Sequence, residues 1–511
     1  MIHLIEIDAH TGASIVTLRF ATEPYITGLS DSPPNTIYEP RISDPGSFSA
    51  NLYQAGQTGG EPSIGLGDIT LANADGGLDA WFNYGFDGRR IEIKRIDSAS
   101  APFSSAVTVF KGAVETIDTS EAWNTLRVRI FDNRLNLDKP LQVNRYAGTT
   151  TGTGNTAEGT EDLRDQPKPI AYGRIFGIRP YAVNPFDGIF QVSDGAVSSI
   201  QAYDGGSPLT YVGDFATLAA LRAATVLPGR FATCLALGLF RITKVGLKLT
   251  ADVVEGASSS NRTAAQVVGR ILARAGFSTS DYSVASLAAL DALNNAEVGI
   301  WIDGDDHIRD VAQRVLASVG AYLIPNTNGV FEVGRFQAPA ASVRTLTMDE
   351  IVRAENMRFD VTNDPGRGIP AYRVIVRYKR NYTTLNGSEV ATCVTNDEEY
   401  KAFLSTEWRE ARAEDLTVKT KYSNAVEVTV DSSLTSLSTA QTEAARLLAL
   451  YKVRRDRVSL TLWDEQASGI TLGDTVTVQV PRFGYDAGRS MRVIGRNDKR
   501  AERVVELDLY G

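Results

Sequence analysis

Phosphate chemistry would be sought first at Gly148-Thr149-Thr150-Thr151-Gly152-Thr153-Gly154-Asn155-Thr156. Glycine-rich loops cradle phosphates with backbone N–H groups, but the Gly-Lys-Ser/Thr ending that supplies the cation and the metal ligand is missing here. Gly152 and Gly154 also lack the third glycine and the strand-to-helix setting of a dinucleotide fingerprint. Asp303, Asp305 and Asp306 are a hard-cation set by residue type. The alternate oxygen ligands and late glutamate of a calcium loop are absent, and acids at a helix start complement the helix dipole, so capping is the better reading. Three histidines, His3, His10 and His307, give a metal hydrolase or a catalytic triad little to work with, and neither His-Glu-x-x-His nor Gly-x-Ser-x-Gly occurs. A glycosidase-like carboxylate pair leaves no local signature, since its members come from distant strands. Trp81, Phe82, Tyr84 and Phe86 have the ring content of a carbohydrate platform, though in a strand-loop-strand segment such residues more often form core or subunit interface. Lys452, Arg454 and Arg455 read as a solvated basic helix end in preference to a phosphate site. No residue is therefore assigned a catalytic, cofactor-binding or metal-binding role, and the chain is not expected to be an enzyme.

Composition narrows the classes further. At 511 residues the chain exceeds one hydrophobic core, and roughly 150 residues per domain gives three or four domains. Hydrophobic content of 43% and charged content of 22% fit globular protein and not disorder or membrane insertion. A net charge of −9 with no basic stripe argues against stable nucleic-acid binding, although an acidic wall suits a channel that a polyanion must traverse without sticking. Cys234 and Cys393 stand far apart without metal-ligand spacing; both read as reduced, with Cys234 in a core. The first residues alternate like a strand and lack the marks of a signal peptide, so cytoplasmic synthesis is expected. The apolar run 231–240 is too short to cross a bilayer.

The elements that would position any site are mostly strands. Residues 1–147 alternate with period two, as in 111–117 and in Thr125-Leu126-Arg127-Val128-Arg129-Ile130-Phe131, and read as a barrel-like antiparallel β domain. Residues 148–165 read as a flexible Gly/Thr-rich loop. A second β-rich domain is expected over 166–258 and a small α+β domain over 259–340. In the latter, Ala264, Val267, Val268, Ile271 and Leu272 form a helical stripe capped by Ser260 or Asn261 and ended by Gly276. Ile308, Val311, Val315, Leu316 and Val319 form a second stripe behind Asp305 or Asp306, ended by Gly320, and Asn328-Gly329 turns a hairpin. Residues 341–511 read as a barrel-like C-terminal β domain with one helix, for which Ser438 and Gln441 offer a capping box. The fold class is mainly β with a small α+β insertion: multidomain, with two tube-like β-barrel domains plus peripheral domains.

The two ends share a pattern. Leu66-Gly67-Asp68 leads a strand and Tyr84-Gly85-Phe86-Asp87-Gly88-Arg89 leads another; Leu472-Gly473-Asp474 and Phe483-Gly484-Tyr485-Asp486-Ala487-Gly488-Arg489 repeat the plan. Gly-Asp turns and Gly-Arg loops are common between strands, so chance stands beside duplication as an explanation. If the ends are duplicated barrels, three chains present six barrels, and a trimer can cap a six-fold tube.

The sequence resembles tail-tip or baseplate-hub proteins of long-tailed bacteriophages and gene transfer agents. The likeness rests on Pro24-Tyr25-Ile26-Thr27, Thr36-Ile37-Tyr38-Glu39-Pro40-Arg41, Ala72-Asn73-Ala74-Asp75-Gly76-Gly77-Leu78-Asp79, the 84–89 loop, Lys168-Pro169-Ile170-Ala171-Tyr172-Gly173, Gln191-Val192-Ser193-Asp194-Gly195-Ala196 and the helix-hairpin 308–333. The resemblance implies a structural hub at the virion tail tip, assembled in the host bacterial cytoplasm. Such a hub is expected to be a homotrimer that closes the tail tube. Its implied partners are the distal tail protein ring, the tape-measure protein and a central fibre or receptor-binding protein, with DNA passing through on ejection and not held. Some relatives carry an iron-sulfur cluster on four C-terminal cysteines; with only Cys393 in that region, no cofactor is expected. The alternative from another class is a carbohydrate-active or carbohydrate-binding β-protein acting on the host envelope.

Overall fold

The computed structural model describes residues 1–53, 62–120, 123–154, 156–358, 369–394 and 396–511. Strands near the N-terminus include β1 (Ile2–His10), β2 (Ile15–Ala21), β3 (Ile42–Asp44), β4 (Ser47–Asn51), β5 (Ser63–Leu66), β6 (Ile69–Ala72), β7 (Arg90–Ile96), β8 (Val107–Ser120) and β9 (Thr125–Phe131). Seven of them form an antiparallel sheet in the order β2-β1-β7-β8-β9-β6-β3. Period-two alternation sends Ile5, Ile7, Ile69, Leu71, Ile91, Ile93, Leu126 and Val128 into one core. β1 is buried on its other face as well, where Ile2 and Leu4 pack with Tyr25, Tyr38 and Ile96.

The middle of the chain adds β10 (Ile170–Ile178), β11 (Ser199–Asp204), β12 (Leu249–Val254), helix α1 (Ala264–Arg274), helix α2 (Val284–Leu293), β13 (Gly299–Ile302), helix α3 (Ile308–Ala317) and the hairpin β14 (Ala321–Pro325) and β15 (Phe331–Arg335). The C-terminal part adds β16 (Arg344–Thr347), β17 (Ile351–Arg358), β18 (Ala371–Tyr378), helix α4 (Glu398–Ser405), β19 (Arg409–Glu414), β20 (Val426–Asp431), helix α5 (Leu437–Tyr451), β21 (Arg457–Trp463), β22 (Thr475–Gln479), β23 (Arg489–Lys499) and β24 (Val504–Tyr510). Mainly β and multidomain, the architecture agrees with the expected class.

The cores do not follow the divisions expected at 258 and 340. The stripes of α1 and α3 are too wide for the β14–β15 hairpin to cover alone. The sheet β19-β18-β20 and α5 complete that core with Val374, Val376, Ala411, Val428, Ala444 and Leu448. The block before 258 is joined to it too, because β10 pairs with β13 from Ile170↔Ile302 to Gly173↔Gly299. The region after 341 holds α4, α5 and a short helix Thr417–Lys421 where one helix was expected.

The Gly/Thr-rich loop, expected to be flexible, is tied down by hydrogen bonds over 148–158 and by burial of Leu163 in a core with Tyr146 and Val183. Thr150 Oγ1 donates to the Thr156 carbonyl and accepts from the Glu158 N–H, and the Gly154 N–H donates to Asp187 Oδ2. Asn155 lies outside the described residues.

A Cβ added at Gly299 would lie 1.7 Å from the Arg174 carbonyl oxygen, in the β10–β13 junction. Gly299→Ala is expected to destabilise the chain by at least about 1–3 kcal/mol, the usual range for forcing atoms into a packed site. Urea denaturation measures this, and an unchanged midpoint would refute the close approach.

Candidate functional site

The residues singled out for chemistry do not converge. Among the described residues no group of three or more His, Cys, Asp or Glu side chains is placed to hold a metal. Asp305 pairs with Arg145 and Asp306 with Arg314, while Asp303 has its carboxyl pushed up by burial. Trp81 and Phe86 are buried with ring centroids 5.1 Å apart, and Trp81 lies 5.4 Å from Phe20; only Phe82 of the four aromatic residues is exposed to a large extent, so no flat platform forms. Lys452 Nζ sits 3.2 Å from Asp415 and the Arg455 guanidinium donates to the Leu450 carbonyl, which leaves neither poised for a phosphate. Cys234 is buried and Cys393 exposed, both free.

What the chain does build is a pair of equivalent sheets. The C-terminal sheet runs β16-β22-β23-β24-β21-β17. Laid against β1-β7-β8-β9-β6-β3, the order matches strand for strand: β22-β23-β24 is a meander like β7-β8-β9, and β21, which precedes its meander, pairs with the last strand as β6 does. β17 then flanks β21 as β3 flanks β6. The central strand of each meander is its longest and carries a β-bulge against the third strand, between Val114 and Thr116 in β8 and between Val493 and Gly495 in β23. One flank differs: β1 is antiparallel to β7, whereas β16 is parallel to β22.

The duplicated sequence motif does not mark this equivalence. Leu66-Gly67-Asp68 leads into β6 but Leu472-Gly473-Asp474 leads into β22, which corresponds to β7, so the motif is one strand out of step. Gly473 takes φ 86° and Gly484 φ 80°, whereas Gly67 and Gly85 are not left-handed. Only the last turn is shared. Phe86 and Tyr485 are both buried ahead of a left-handed Gly88 or Gly488, whose successor arginine enters or opens the next strand.

The two sheets are interlocked. The β4–β5 hairpin leaves the N-terminal sheet and pairs with β23 from Ser47↔Lys499 to Asn51↔Gly495, beyond the bulge, while β22 occupies the same edge before it. Phe48 and Ala50 of β4 pack into the N-terminal core beside Ile494 and Tyr510. Arg500, 8% exposed, crosses the seam to the carbonyls of Val109 at 3.2 Å and Pro45 at 3.5 Å. Burial lowers its pKa to about 10. A cavity of about 480 Å³ lies at this seam, lined by His3, Phe48, Arg95, Tyr322, Arg496 and Arg500 among others. His3 is held neutral there, its pKa lowered to about 3 by burial first and by the charges of Arg500 and Arg95 second. On the opposite side of the N-terminal sheet, Glu6 accepts from the Tyr38 hydroxyl at 2.6 Å and faces Arg19, Arg90 and Lys94. Burial alone would raise its carboxyl, but the Tyr38 hydrogen bond and the cations outweigh that and lower it.

These arrangements offer no nucleophile-base pair. The outer strands are β2 and β3 of one sheet and β16 and β17 of the other; Glu39 bridges Phe20 at one end of β2, while Ile15 (61% exposed) at its other end and Val352 (46%) on β17 face outward.

The sign of the His3 effect is fixed. The unfolded chain takes up this proton below about 6.5 and the folded one only near 3, so the contribution is intact above pH 6.5 and is lost as pH falls toward 3. At about pH 5 the neutral-His3 requirement is expected to cost about 2 kcal/mol relative to neutral pH. His3→Gln should flatten that part of the stability-pH curve; an identical curve for the two proteins would rule out a buried neutral His3.

No family model matches the chain, and no curated protein matches it. Among solved structures it is similar to the tail protein from Neisseria meningitidis MC58, with 10% identity and a TM-score of 0.41 over 100% of this chain and 96% of that one. It is similar to the 43 kDa tail protein of prophage MuSo2 from Shewanella oneidensis, with 9% identity and a TM-score of 0.42 over 100% and 98%. A chain of the native gene transfer agent virion gives 14% identity and a TM-score of 0.42 over 74% of this chain and 92% of that one.

Proposed function

We propose that the chain is the structural hub of a phage-type tail tip, located in the virion, that closes the tail tube as a homotrimer. The observation that carries this reading is the pair of topologically equivalent sheets fixed to one another by the β4–β5 hairpin. Three such chains supply six related sheets, which suits a ring that continues a six-fold tube. The outer strands would pair between neighbouring copies, satisfying edge N–H and C=O groups that otherwise invite uncontrolled association. The helical unit and the 166–258 block would decorate the ring. The distal tail ring, the tape-measure protein and a central fibre or receptor-binding protein are the partners this position implies. The net charge of −9 suits a lumen through which DNA passes without sticking. Opening on receptor contact would involve movement of the outer domains relative to the ring.

The direct test is antibody labelling of phage-like particles with symmetry analysis of the labelled region, for which label at the tail end with three-fold symmetry is expected. Label absent from particles, or spread along fibres, would reject the hub and favour an adhesive protein. At the level of residues, Ile15→Lys and Val352→Lys place charges on the exposed outer strands. Each is expected to shift the purified protein from trimer toward monomer in light scattering while its melting temperature stays within a few degrees. A trimer unaffected by both would exclude edge pairing through β2 and β17.

A further inference from the structure

A second cavity, of about 210 Å³, lies away from the seam, between the β10-β12-β11 face and the segment 379–404. Its walls carry opposite charges that do not meet. Asp252 accepts from the Gly177 N–H at 2.8 Å and from the Tyr203 hydroxyl at 3.2 Å. The Lys379 ammonium lies over the faces of Phe176 and Phe403, 4.9 and 4.7 Å from their centroids, and has no hydrogen-bond or ion-pair partner among the described residues. Its backbone is held at φ 47°, a left-handed conformation disfavoured for a residue with a side chain. Such strain persists where the surroundings impose it, often at a ligand site. Asn381, 1% exposed, gives its amide N–H groups to the Phe403 and Leu404 carbonyls, and its Oδ1 has no partner.

One wall thus carries a donor without an acceptor, Lys379, and an acceptor without a donor, Asn381 Oδ1, and the other carries the Asp252 carboxylate, each oxygen of which accepts one hydrogen bond. A free anion would meet Asp252, and a free cation would meet Lys379. A hydroxyl group satisfies both, accepting from the ammonium and donating to the carboxylate, and several hydroxyls on one small ring do so without net charge. At about 30 Å³ per water the space holds roughly seven waters, the size of a single sugar ring. We propose that this cavity binds a polyhydroxylated, monosaccharide-sized ligand, with Lys379 and Asp252 as its hydrogen-bonding partners and Tyr203 positioning the Asp252 carboxylate. The inference stands apart from the hub reading: it needs neither a trimer nor a tail.

Saturation-transfer NMR on the full chain tests it, with D-glucose, D-galactose, L-rhamnose and N-acetyl-D-glucosamine as separate probes. Transfer to at least one of the four is expected, with affinity falling about tenfold or more in Lys379→Met and in Asp252→Asn, as for loss of a hydrogen bond to a charged group. Tyr203→Phe removes one hydroxyl and serves if the charge variants fail to fold; it too should weaken binding while leaving the melting temperature nearly unchanged. Methyl glycosides distinguish the source. Equal binding of the methylated sugar indicates the end of a glycan chain, and blocked binding indicates a free sugar. No transfer from any probe, or transfer unchanged in folded variants, would mean that the cavity holds water alone and would overturn the proposal.

Discussion

The edge of β23 is the constraint on which the rest of the arrangement depends. It is shared between β22, which takes residues 489–492, and β4, which takes 495–499, and the handover occurs at the bulge between Val493 and Gly495. A continuous ladder would leave β22 holding the whole edge and β4 unpaired. The bulge bends the strand and ends the first pairing, as such irregularities do. The Leu52 N–H then donates to the Ile494 carbonyl, and the Gly473 N–H to that of Val493, so each incoming segment satisfies one of the two carbonyls at the break. Residues at the two ends of the chain are thereby locked in one sheet. That pairing closes the longest loop in the molecule, and its entropy must be offset before either sheet is complete.

Charge at the seam follows from the same closeness. Arg500 cannot reach water freely, so it directs its donors to carbonyls of the opposite sheet, and His3 beside it stays neutral because burial disfavours its charged form and a proton there would also face Arg500 and Arg95. Burying a guanidinium without a carboxylate in contact is costly, and such groups are weak sources of stability. Their consequence here is geometric. The two carbonyls that Arg500 reaches, of Pro45 and Val109, flank β4 and belong to β8, so the side chain gauges the distance between the N-terminal meander and the hairpin that left it. Specificity of the seam, in this view, comes from groups that add little net stability.

How much of this was legible in the sequence varied with the physics of each element. The helical stripes Ala264, Val267, Val268, Ile271, Leu272 and Ile308, Val311, Val315, Leu316 are buried as read, and Gly276 and Gly320 take the left-handed conformation that ends each helix. The caps were misplaced. Thr263 caps α1 through the Gln266 N–H, Ser436 caps α5 through the Thr439 N–H, and α3 starts at His307 with no side-chain cap. Ser, Thr and Asp recur within a few residues of each start, and only tertiary position selects among them. Helix α2 was missed because Val284-Ala285-Ser286-Leu287-Ala288-Ala289-Leu290 is apolar all round and shows no stripe. The boundary at 340 was misplaced for a related reason. A helix face exposed in sequence reads as complete, but the strands that cover α1 and α3 lie a hundred residues further on. The charges that face the smaller cavity carried no local signal, since Lys379 and Asp252 come from elements far apart in the chain.

The repeat was found in the sequence for the wrong reason. Matching glycines suggested it, yet they sit one strand out of step, and only Gly88 and Gly488 share a left-handed conformation. What the two sheets share is strand order and the bulge in the middle of the meander, and both are encoded by alternation, which many sequences satisfy equally well. Topology therefore survives where residue identity does not. The one departure from equivalence, β1 antiparallel and β16 parallel, lies at the flank of the meander's first strand. A ring built from such chains cannot repeat a single contact six times. In the proposed trimer, contacts inside a chain would be set by the hairpin and by Arg500 and those between chains by the remaining edges, so that six-fold order would be three-fold order repeated through two sheets that match in their middles and differ at their rims.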